Sequence, residues 1–349
     1  MCAKACPYNA IADLIRPCKK ACPVNAITMD EEGICIIDDE KCIRCGKCIH
    51  RCPFGAIGSK TDIVDVINAI KSDKTVVAMF APAVEGQFGA DITMSSIRSA
   101  CKKLGFDDMI EVGLGGDMTA AAEADEWVEA YEFEKKKTTS CCPAFVNMIR
   151  QHFPELSEDI STTVSPMCAV SRMVKAGNPE AITVFVGPCI AKKDEAKRNP
   201  VRGNADYVLT IGEFRSMMRA KGVKFEPDSD NVQQASVFGK RFGNGGGVTN
   251  AVLKSIEEAG LDPSQYKVEK CAGADACKKA LLMLRAKKLN ADFIEGMMCE
   301  GGCVGGPSQH KTEAAFKKDR DKMISEADER GVRENLENYP MDSFSMYKK

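Results

Sequence analysis

The sequence carries no excess of charge of either sign: 48 Lys+Arg stand against 50 Asp+Glu in 349 residues, a formal net charge of −2. With no global basic field, a nucleic-acid binder that works by neutralising phosphates is excluded. Long apolar runs are also missing. No stretch reaches the length of a bilayer span, and the opening MCAKACPYNA lacks the apolar core of a secretory leader, so a cytoplasmic, reducing compartment is expected. Histidine is scarce, and His50, His152 and His310 show no ligand spacing. Gly243-Asn-Gly-Gly-Gly247 could turn backbone N–H groups toward an anion or cofactor, but no convincing G-x-G-x-x-G with a downstream acid accompanies it.

Cysteine is what the chain has in quantity, at 18 residues. A chain of this length can bury a core without staples, and in a reducing compartment clustered Cys means metal or catalysis before disulfides. Nine lie in the first 52 residues, at 2, 6, 18, 22, 35, 42, 45, 48 and 52, and the rest are scattered. Two modules are expected, residues 1–60 and 61–349.

The first module contains Cys42-Ile-Arg-Cys45-Gly-Lys-Cys48-Ile-His-Arg-Cys52-Pro53, the C-x2-C-x2-C-x3-C-P run of bacterial ferredoxins. Three thiolates at two-residue gaps reach three corners of one cubane, and the Cys before Pro turns to the other cluster. A zinc site would use paired knuckles without that tail. Upstream, Cys18-Lys-Lys-Ala-Cys22-Pro23 supplies only the end of a second run, because Ala12 and Ile15 stand where two ligands belong. Crossed ligation joins Cys22 to Cys42, Cys45 and Cys48. Cys18 and Cys52 are then two ligands short, and Cys2 and Cys6 fill the gap if the residues between Cys6 and Cys18 loop out. Cys35, in the strand-like Ile34-Cys35-Ile36-Ile37, reads as a packed core thiol.

Beyond residue 60, amphipathic helical stretches alternate with β-rich runs: TDIVDVINAIKSD then TVVAMF, and later AITVFVGPC and ADYVLTIGEF. Such alternation favours α/β layers with parallel strands flanked by helices. The tail after about 310 reads as solvated helices that wrap the core. Three cysteine motifs stand out: Thr139-Ser-Cys141-Cys142-Pro143-Ala-Phe145, Gly187-Pro188-Cys189-Ile-Ala-Lys192, and Phe293-Ile-Glu295-Gly-Met297-Met-Cys299-Glu-Gly-Gly-Cys303-Val-Gly-Gly306-Pro307.

Together these motifs resemble the three signature segments of iron-only (FeFe) hydrogenases, over most of residues 75–310, and their variants look like the group B branch. The resemblance implies a catalytic domain of two lobes, each with a parallel sheet, joined to a small α+β ferredoxin-like domain. It implies that Cys142, Cys189, Cys299 and Cys303 hold the 4Fe-4S part of an H-cluster, with Cys303 bridging to a two-iron subcluster that bears CO, cyanide and an azadithiolate. Ala81, Pro82, Ala83, Pro188 and Met297 match positions around the two-iron site, and Lys192 the ammonium that bonds a cyanide. Two 4Fe-4S clusters would exchange electrons with ferredoxin or a similar soluble carrier. Maturation proteins would insert the two-iron unit, with H2 and protons as substrates and neither nucleic acid nor membrane as partner.

For protons, the resemblance implies a route Cys141, a water, Glu126, Ser165, Glu123. A glutamate on a helix is ordinarily only solvated, and it is the position relative to the motif that singles these out. Three departures stand near the site: Gly187 and Phe145 replace Met and Trp, and Met298 replaces a small residue. Cys101, Cys168, Cys271 and Cys277 get the bland reading of packed or surface thiols. The resulting expectation is a hydrogenase interconverting protons, electrons and H2. An H2-sensing homologue and an iron–sulfur assembly protein are its rivals.

Overall fold

The computed structural model describes residues 5–8, 10, 15–198, 201–226 and 233–348. Cys2 lies outside them. Near the N-terminus a short antiparallel hairpin, β1 (Ile27–Met29) and β2 (Cys35–Ile37), packs with the helices Pro17–Ala21 and Lys47–Arg51. The larger part holds two parallel sheets among helices. One runs β4 (Asp108–Glu111), β3 (Val76–Phe80), β6 (Ile182–Gly187), β7 (Tyr207–Thr210). The other runs β5 (Lys137–Thr138), β9 (Phe293–Met297), β8 (Val268–Ala272). The expected α/β class with two parallel-sheet lobes is the one observed. Strands β3 and β9 are buried at every position, as strands covered by helices on both faces must be, which is why their sequences show no polar alternation.

The run ADYVLTIGEF is shorter as a strand than its composition suggests. Glu213 N–H donates to Thr210 Oγ1 (3.2 Å) and Thr210 N–H to Glu213 Oε2 (2.6 Å), a capping box that ends β7 and starts the helix Ile211–Lys221. The glycine-rich Gly243–Gly247 segment leads into the helix Gly247–Glu258, and the anion there is internal. The buried carboxylate of Glu295, on β9, accepts from Gly246 N–H (2.8 Å), Thr249 N–H (2.9 Å) and the Thr249 hydroxyl (2.5 Å). This ties the third cysteine motif to a helix N-terminus, where a negative group is stabilised.

The helix Val112–Glu132 is the longest in the described residues and crosses the centre. A Cβ on Gly115 would lie 2.2 Å from the carbonyl oxygen of Pro166, so glycine lets this helix meet the start of the helix Pro166–Gly177 backbone to backbone. Further along, Trp127 stacks on Phe293 of β9 with ring centroids 4.3 Å apart, linking the helix to the second sheet. The C-terminal residues close over it: Tyr347 bridges to Thr163, and Arg172 holds the Tyr347 carbonyl at 2.8 Å.

Gly115→Ala should therefore destabilise the chain by about 1–3 kcal/mol, the range for overpacking a tight contact. Urea unfolding followed by circular dichroism measures this. Gly177→Ala, where an added Cβ meets nothing within 4 Å, should shift the midpoint little.

Candidate metal centres and proton path

Parallel sheets present their carboxyl ends on one side, and ligands bind there. Here the ends of four strands from both sheets contribute. Ala81–Val84 follow β3, Pro188 and Cys189 follow β6, Cys141 and Cys142 come shortly after β5, and Cys299 and Cys303 follow β9. Cys142, Cys189, Cys299 and Cys303 are half-buried and mutually close. Burial, then the neighbouring thiols, pushes Cys189 up to about 11 and Cys303 to about 12, and Cys299 well above its ordinary value. Four soft donors gathered where a bare thiolate is so disfavoured suit a thiophilic cation, an iron–sulfur cluster or zinc. Backbone bonds brace the third motif, with Cys303 N–H donating to Gly243 O (2.7 Å) and Gly245 N–H to Gly301 O (2.8 Å).

Ala83 and Met297 are buried at this centre, as are Ala81 and Pro188, while Pro82 is half-buried. The departures are compensated. A Cβ on Gly187 would come within 2.9 Å of both the Ala81 Cβ and the Phe185 ring, so neighbours already occupy the room a larger residue would need. Phe145 lies flat against Gly296, whose added Cβ would be 2.2 Å from its ring, and Met298 is buried in the same cluster. Lys192 is buried: its Nζ donates to Glu195 Oε2 (2.6 Å) and to the Cys141 carbonyl (3.2 Å). Burial alone would lower its pKa, but the Glu195 carboxylate outweighs it, and the ammonium is held above its usual value.

In the N-terminal part, Cys22, Cys42, Cys45 and Cys48 come together as the crossed-ligand rule expects; burial chiefly raises Cys45 to about 12 and Cys48 to about 11. Cys45 is also among the charges felt by Cys299, so the two thiol groups adjoin. Ile43 inserts into the core beside Phe145 and Leu281, and its carbonyl accepts from Asn147 Nδ2 (3.4 Å). His152 has a structural use, its Nε2 lying 2.9 Å from the Lys41 carbonyl.

Cys35 is not the packed core thiol expected. Ile34 and Ile36 face solvent, so Cys35 points the other way, and it lines one cavity with Cys18 and Cys52. Cys6, expected there, is half-buried and is not among the residues lining that cavity. The remaining thiols fit the bland reading. Cys101 and Cys168 are packed in apolar clusters, and Cys277 donates to backbone carbonyls of Met297 (3.4 Å) and Cys271 (3.6 Å).

The candidate proton-bearing groups lie in a different order, and with one different residue, from the expected route. Glu123 and Glu126 lie three apart on the helix Val112–Glu132, hence on one face. Glu123 is the inner one: it is fully buried, it is the carboxyl that acts on Cys141, and its Oε1 accepts from Ser140 N–H (3.3 Å). Glu126 is the outer one, half-buried, beside exposed Thr162, whose N–H it accepts at 3.0 Å, and Lys137 at 3.3 Å. The hydroxyl between them is Ser161, not Ser165. Ser161 Oγ donates to Glu126 Oε2 (2.6 Å) and lies near enough to the Glu123 carboxyl to lower its pKa, whereas Ser165 Oγ is buried with no hydrogen-bond partner. Both serines precede a helix in a similar local context, and only the tertiary packing separates them. A residue that sequence reasoning missed stands over the pair: Lys348 Nζ donates to the Ser161 carbonyl (3.1 Å), and burial lowers its pKa to about 8.

Two converging sheets with thiols at their facing ends, and a ferredoxin-like cysteine run alongside, define an iron–sulfur protein. Residues 74–307 match the model of the iron-only hydrogenase large subunit, C-terminal domain, and residues 16–56 match a 4Fe-4S dicluster domain. The chain belongs to the iron-only hydrogenase family. It is 28% identical over 360 residues to the NADP-reducing hydrogenase subunit HndD of Solidesulfovibrio fructosivorans, covering 86% of this chain and 62% of that one. It is 30% identical over 359 residues to the periplasmic Fe hydrogenase large subunit of Nitratidesulfovibrio vulgaris, covering 78% and 85%. The chain thus spans less than two thirds of HndD. A probable cytosolic Fe-S cluster assembly factor of Brugia malayi also matches, at 24% identity over 59% of this chain and 55% of that one. Among solved structures, an FeFe-hydrogenase from Chlamydomonas reinhardtii superposes with a TM-score of 0.64 at 20% identity, covering 81% of this chain and 93% of that one, a likeness of fold. No helix among the described residues is long and apolar enough to cross a membrane.

Burial first, and then Glu126, raises the Glu123 carboxyl to about 8. A carboxyl whose folded value lies above its unfolded one keeps a proton that the unfolded chain has lost, so its contribution to stability falls as pH rises from the ordinary carboxylate range through about 8. Glu123→Gln removes that titration. Between pH 5 and pH 8, wild-type stability should fall relative to Glu123→Gln, by at most about 1.4 kcal/mol per pH unit. Parallel slopes in urea titrations across that range would mean Glu123 is ionised in the fold.

Proposed function

We propose that the chain is a catalytic FeFe hydrogenase interconverting protons, electrons and H2, and that Cys142, Cys189, Cys299 and Cys303 are the residues that would hold its H-cluster. When bound, the H-cluster supplies the redox chemistry of H2; the protein positions it and moves protons and electrons. The observation that carries the reading is the line of proton-bearing groups that starts at Cys141, adjacent to a cluster ligand, and ends at the surface. Burial raises the Cys141 thiol well above its ordinary value, so it rests protonated next to the centre. Glu123, protonated near neutrality, is the next station, the Ser161 hydroxyl bonded to Glu126 lies near it, and Glu126 meets solvent beside Thr162. A carboxyl raised to about 8, as Glu123 is, suits transfer in both directions near neutral pH. Lys192 supplies a fixed buried ammonium for an anionic ligand of the cofactor, and Ala81, Pro82, Ala83, Pro188 and Met297 give the pocket its apolar wall.

Electrons enter through the ferredoxin-like part, residues 1–60, and reach the catalytic part, residues 61–349, where Cys45 adjoins Cys299. Ferredoxin or a similar soluble carrier is the proposed donor in the cytoplasm. The cavity at Cys22, Cys45 and Cys299 is lined by Lys20, Lys47, His50 and Arg51 together with Asp275 and Glu300, Lys47 pairing with Glu300 at 3.6 Å. Maturation proteins would insert the two-iron unit.

A second reading, an iron–sulfur assembly role, is favoured by the match to the Brugia malayi assembly factor. It gives no use to a thiol–carboxyl–hydroxyl–carboxyl line. The experiment that separates the two is maturation with the two-iron cofactor, followed by infrared spectroscopy and an H2 assay with a reduced dye. CO and cyanide bands with H2 production are expected, and loaded, folded protein without bands sinks the H-cluster assignment. Cys141→Ala should keep the bands and lose turnover by about 10²–10⁴-fold, as for loss of a general acid–base group. Ser161→Ala should slow turnover and Ser165→Ala should not; the reverse result would restore the route expected from sequence.

A further inference from the structure

The three thiols at the outer end of the ferredoxin-like part have a use that the motif spacing does not provide. The hairpin fixes Cys35 opposite Met29, and its turn is held by Ile34 N–H donating to Asp30 Oδ1 (2.7 Å). Ile34 and Ile36 are 58% and 50% exposed, so the alternation of β2 turns Cys35 to the inner face. There it faces the Cys18 thiol, with Cys52 also close. The three line a single cavity of about 740 Å³ whose walls include Pro17, Ile37, Pro53 and Ile57. Cys35 belongs to none of the packed apolar clusters among the described residues.

Cys52 holds its place for a reason seen twice. Cys52 caps the helix Lys47–Arg51 and its sulfur accepts from Ala56 N–H (3.3 Å), as the sulfur of Cys22, after the helix Pro17–Ala21, accepts from Ala26 N–H (3.2 Å). Such N–H···S bonds are what a cluster thiolate requires from its surroundings. Cys22 has three thiol partners in the inner group. In the outer group the positions that would complete the set are Ala12 and Ile15, and the third thiol that the fold delivers is Cys35.

We propose that Cys35 is a ligand of the outer iron–sulfur cluster, binding iron together with Cys18 and Cys52 from the hairpin side of the module. This rests on the dicluster reading of residues 16–56 and is independent of H2 turnover. One of the two ligand places assigned from sequence to Cys2 and Cys6 thereby passes to Cys35. Cys6 is the remaining described thiol in this part of the chain for the fourth place. The alternative chemistry for two thiols in contact is a Cys18–Cys35 disulfide, which would release two electrons and two protons and leave Cys52 without a use.

The test is anaerobic reconstitution of the full chain with iron and sulfide, without the two-iron cofactor. Iron and sulfide per chain are measured, with electron paramagnetic resonance after reduction. Cys35→Ala should lose one cluster's worth of iron, about four atoms, or convert that cluster to a three-iron form. It should alter the same signal as Cys18→Ala and Cys52→Ala, and not the one lost in Cys42→Ala. Cys101→Ala and Ile36→Ala, a buried thiol elsewhere and the exposed face of the same strand, should leave both signals intact. Full iron content and both signals in Cys35→Ala, with loss in Cys18→Ala, would overturn the proposal and leave the outer cluster standing. Full content in Cys18→Ala and Cys52→Ala as well would overturn the cluster reading of this cavity. A Cys18–Cys35 disulfide found by mass spectrometry of the unreduced, reconstituted protein would likewise overturn it.

Discussion

The centre depends on two parallel sheets aiming their carboxyl ends at each other. A parallel strand ends in a loop at the same side of its sheet, so β3 and β6 deliver Ala83 and Cys189 from one lobe, while β5 and β9 deliver Cys142 and Cys299 from the other. Thiols from three distant stretches, Cys142, Cys189 and the Cys299–Cys303 pair, thus converge without any one loop having to be long. Holding the lobes in that relation falls to the helix Val112–Glu132, which meets the helix Pro166–Gly177 at Gly115 and the second sheet through Trp127. The same helix carries Glu123 and Glu126, so the element that braces the lobes also sets the line of carboxyls against Cys141.

Burying so many polar groups is possible because each has a defined answer. Lys240 sits between Glu85 (2.6 Å) and Glu111 (3.1 Å), and those carboxylates keep its ammonium above its ordinary value against the pull of burial. Asp117 takes bonds from Ser236 N–H (2.8 Å) and Asn335 Nδ2 (2.8 Å), and burial still raises it to about 7. Glu295 is answered by a helix N-terminus. A buried charge that lost its partner would cost several kcal/mol, so these contacts determine the arrangement as much as the apolar core does. Glu123 differs in having no ion-pair partner among the described residues: Ser140 N–H answers its Oε1, and its Oε2, like Glu85 Oε2 and Glu111 Oε1, is buried and unpartnered. A group left in that state near a thiol and a second carboxyl is one the fold stabilises in its protonated form, which is the form a relay needs.

The cysteine motifs were legible in the sequence because their chemistry is local: two- and three-residue gaps decide which thiols share a corner, and a strand followed by Gly-Pro-Cys decides where a ligand stands. What could not be read depends on packing between segments distant in the chain. Ser165 and Ser161 both lie near the glutamates by sequence, and only the approach of the Ser161–Thr163 turn to Glu126 chooses between them. The order of the glutamates was invisible for the same reason, since i and i+3 on a helix say nothing about which end faces the centre. Cys35 has no spacing signal at all. Its alternation with two exposed isoleucines does say that it faces inward, but not that two thiols wait there. Lys348 was hidden in a tail whose charge read as solvation.

These placements separate the two routes of the proposed function, one for electrons and one for protons. Thiols run from Cys18, Cys35 and Cys52 through the inner group of Cys22, Cys42, Cys45 and Cys48 to Cys299, a line that reaches the centre from the ferredoxin-like part. Hydroxyls and carboxyls leave it from Cys141 toward Thr162, where the C-terminal residues lie across the exit. Electron transfer tolerates gaps between clusters, but a proton needs a donor and an acceptor in contact at every step, so the second line is the one with narrow geometric tolerance. That asymmetry explains why the carboxyl route is held by named hydrogen bonds to Ser140, Ser161 and Thr162, whereas the outer thiols sit at a broad cavity between a hairpin and two short helices.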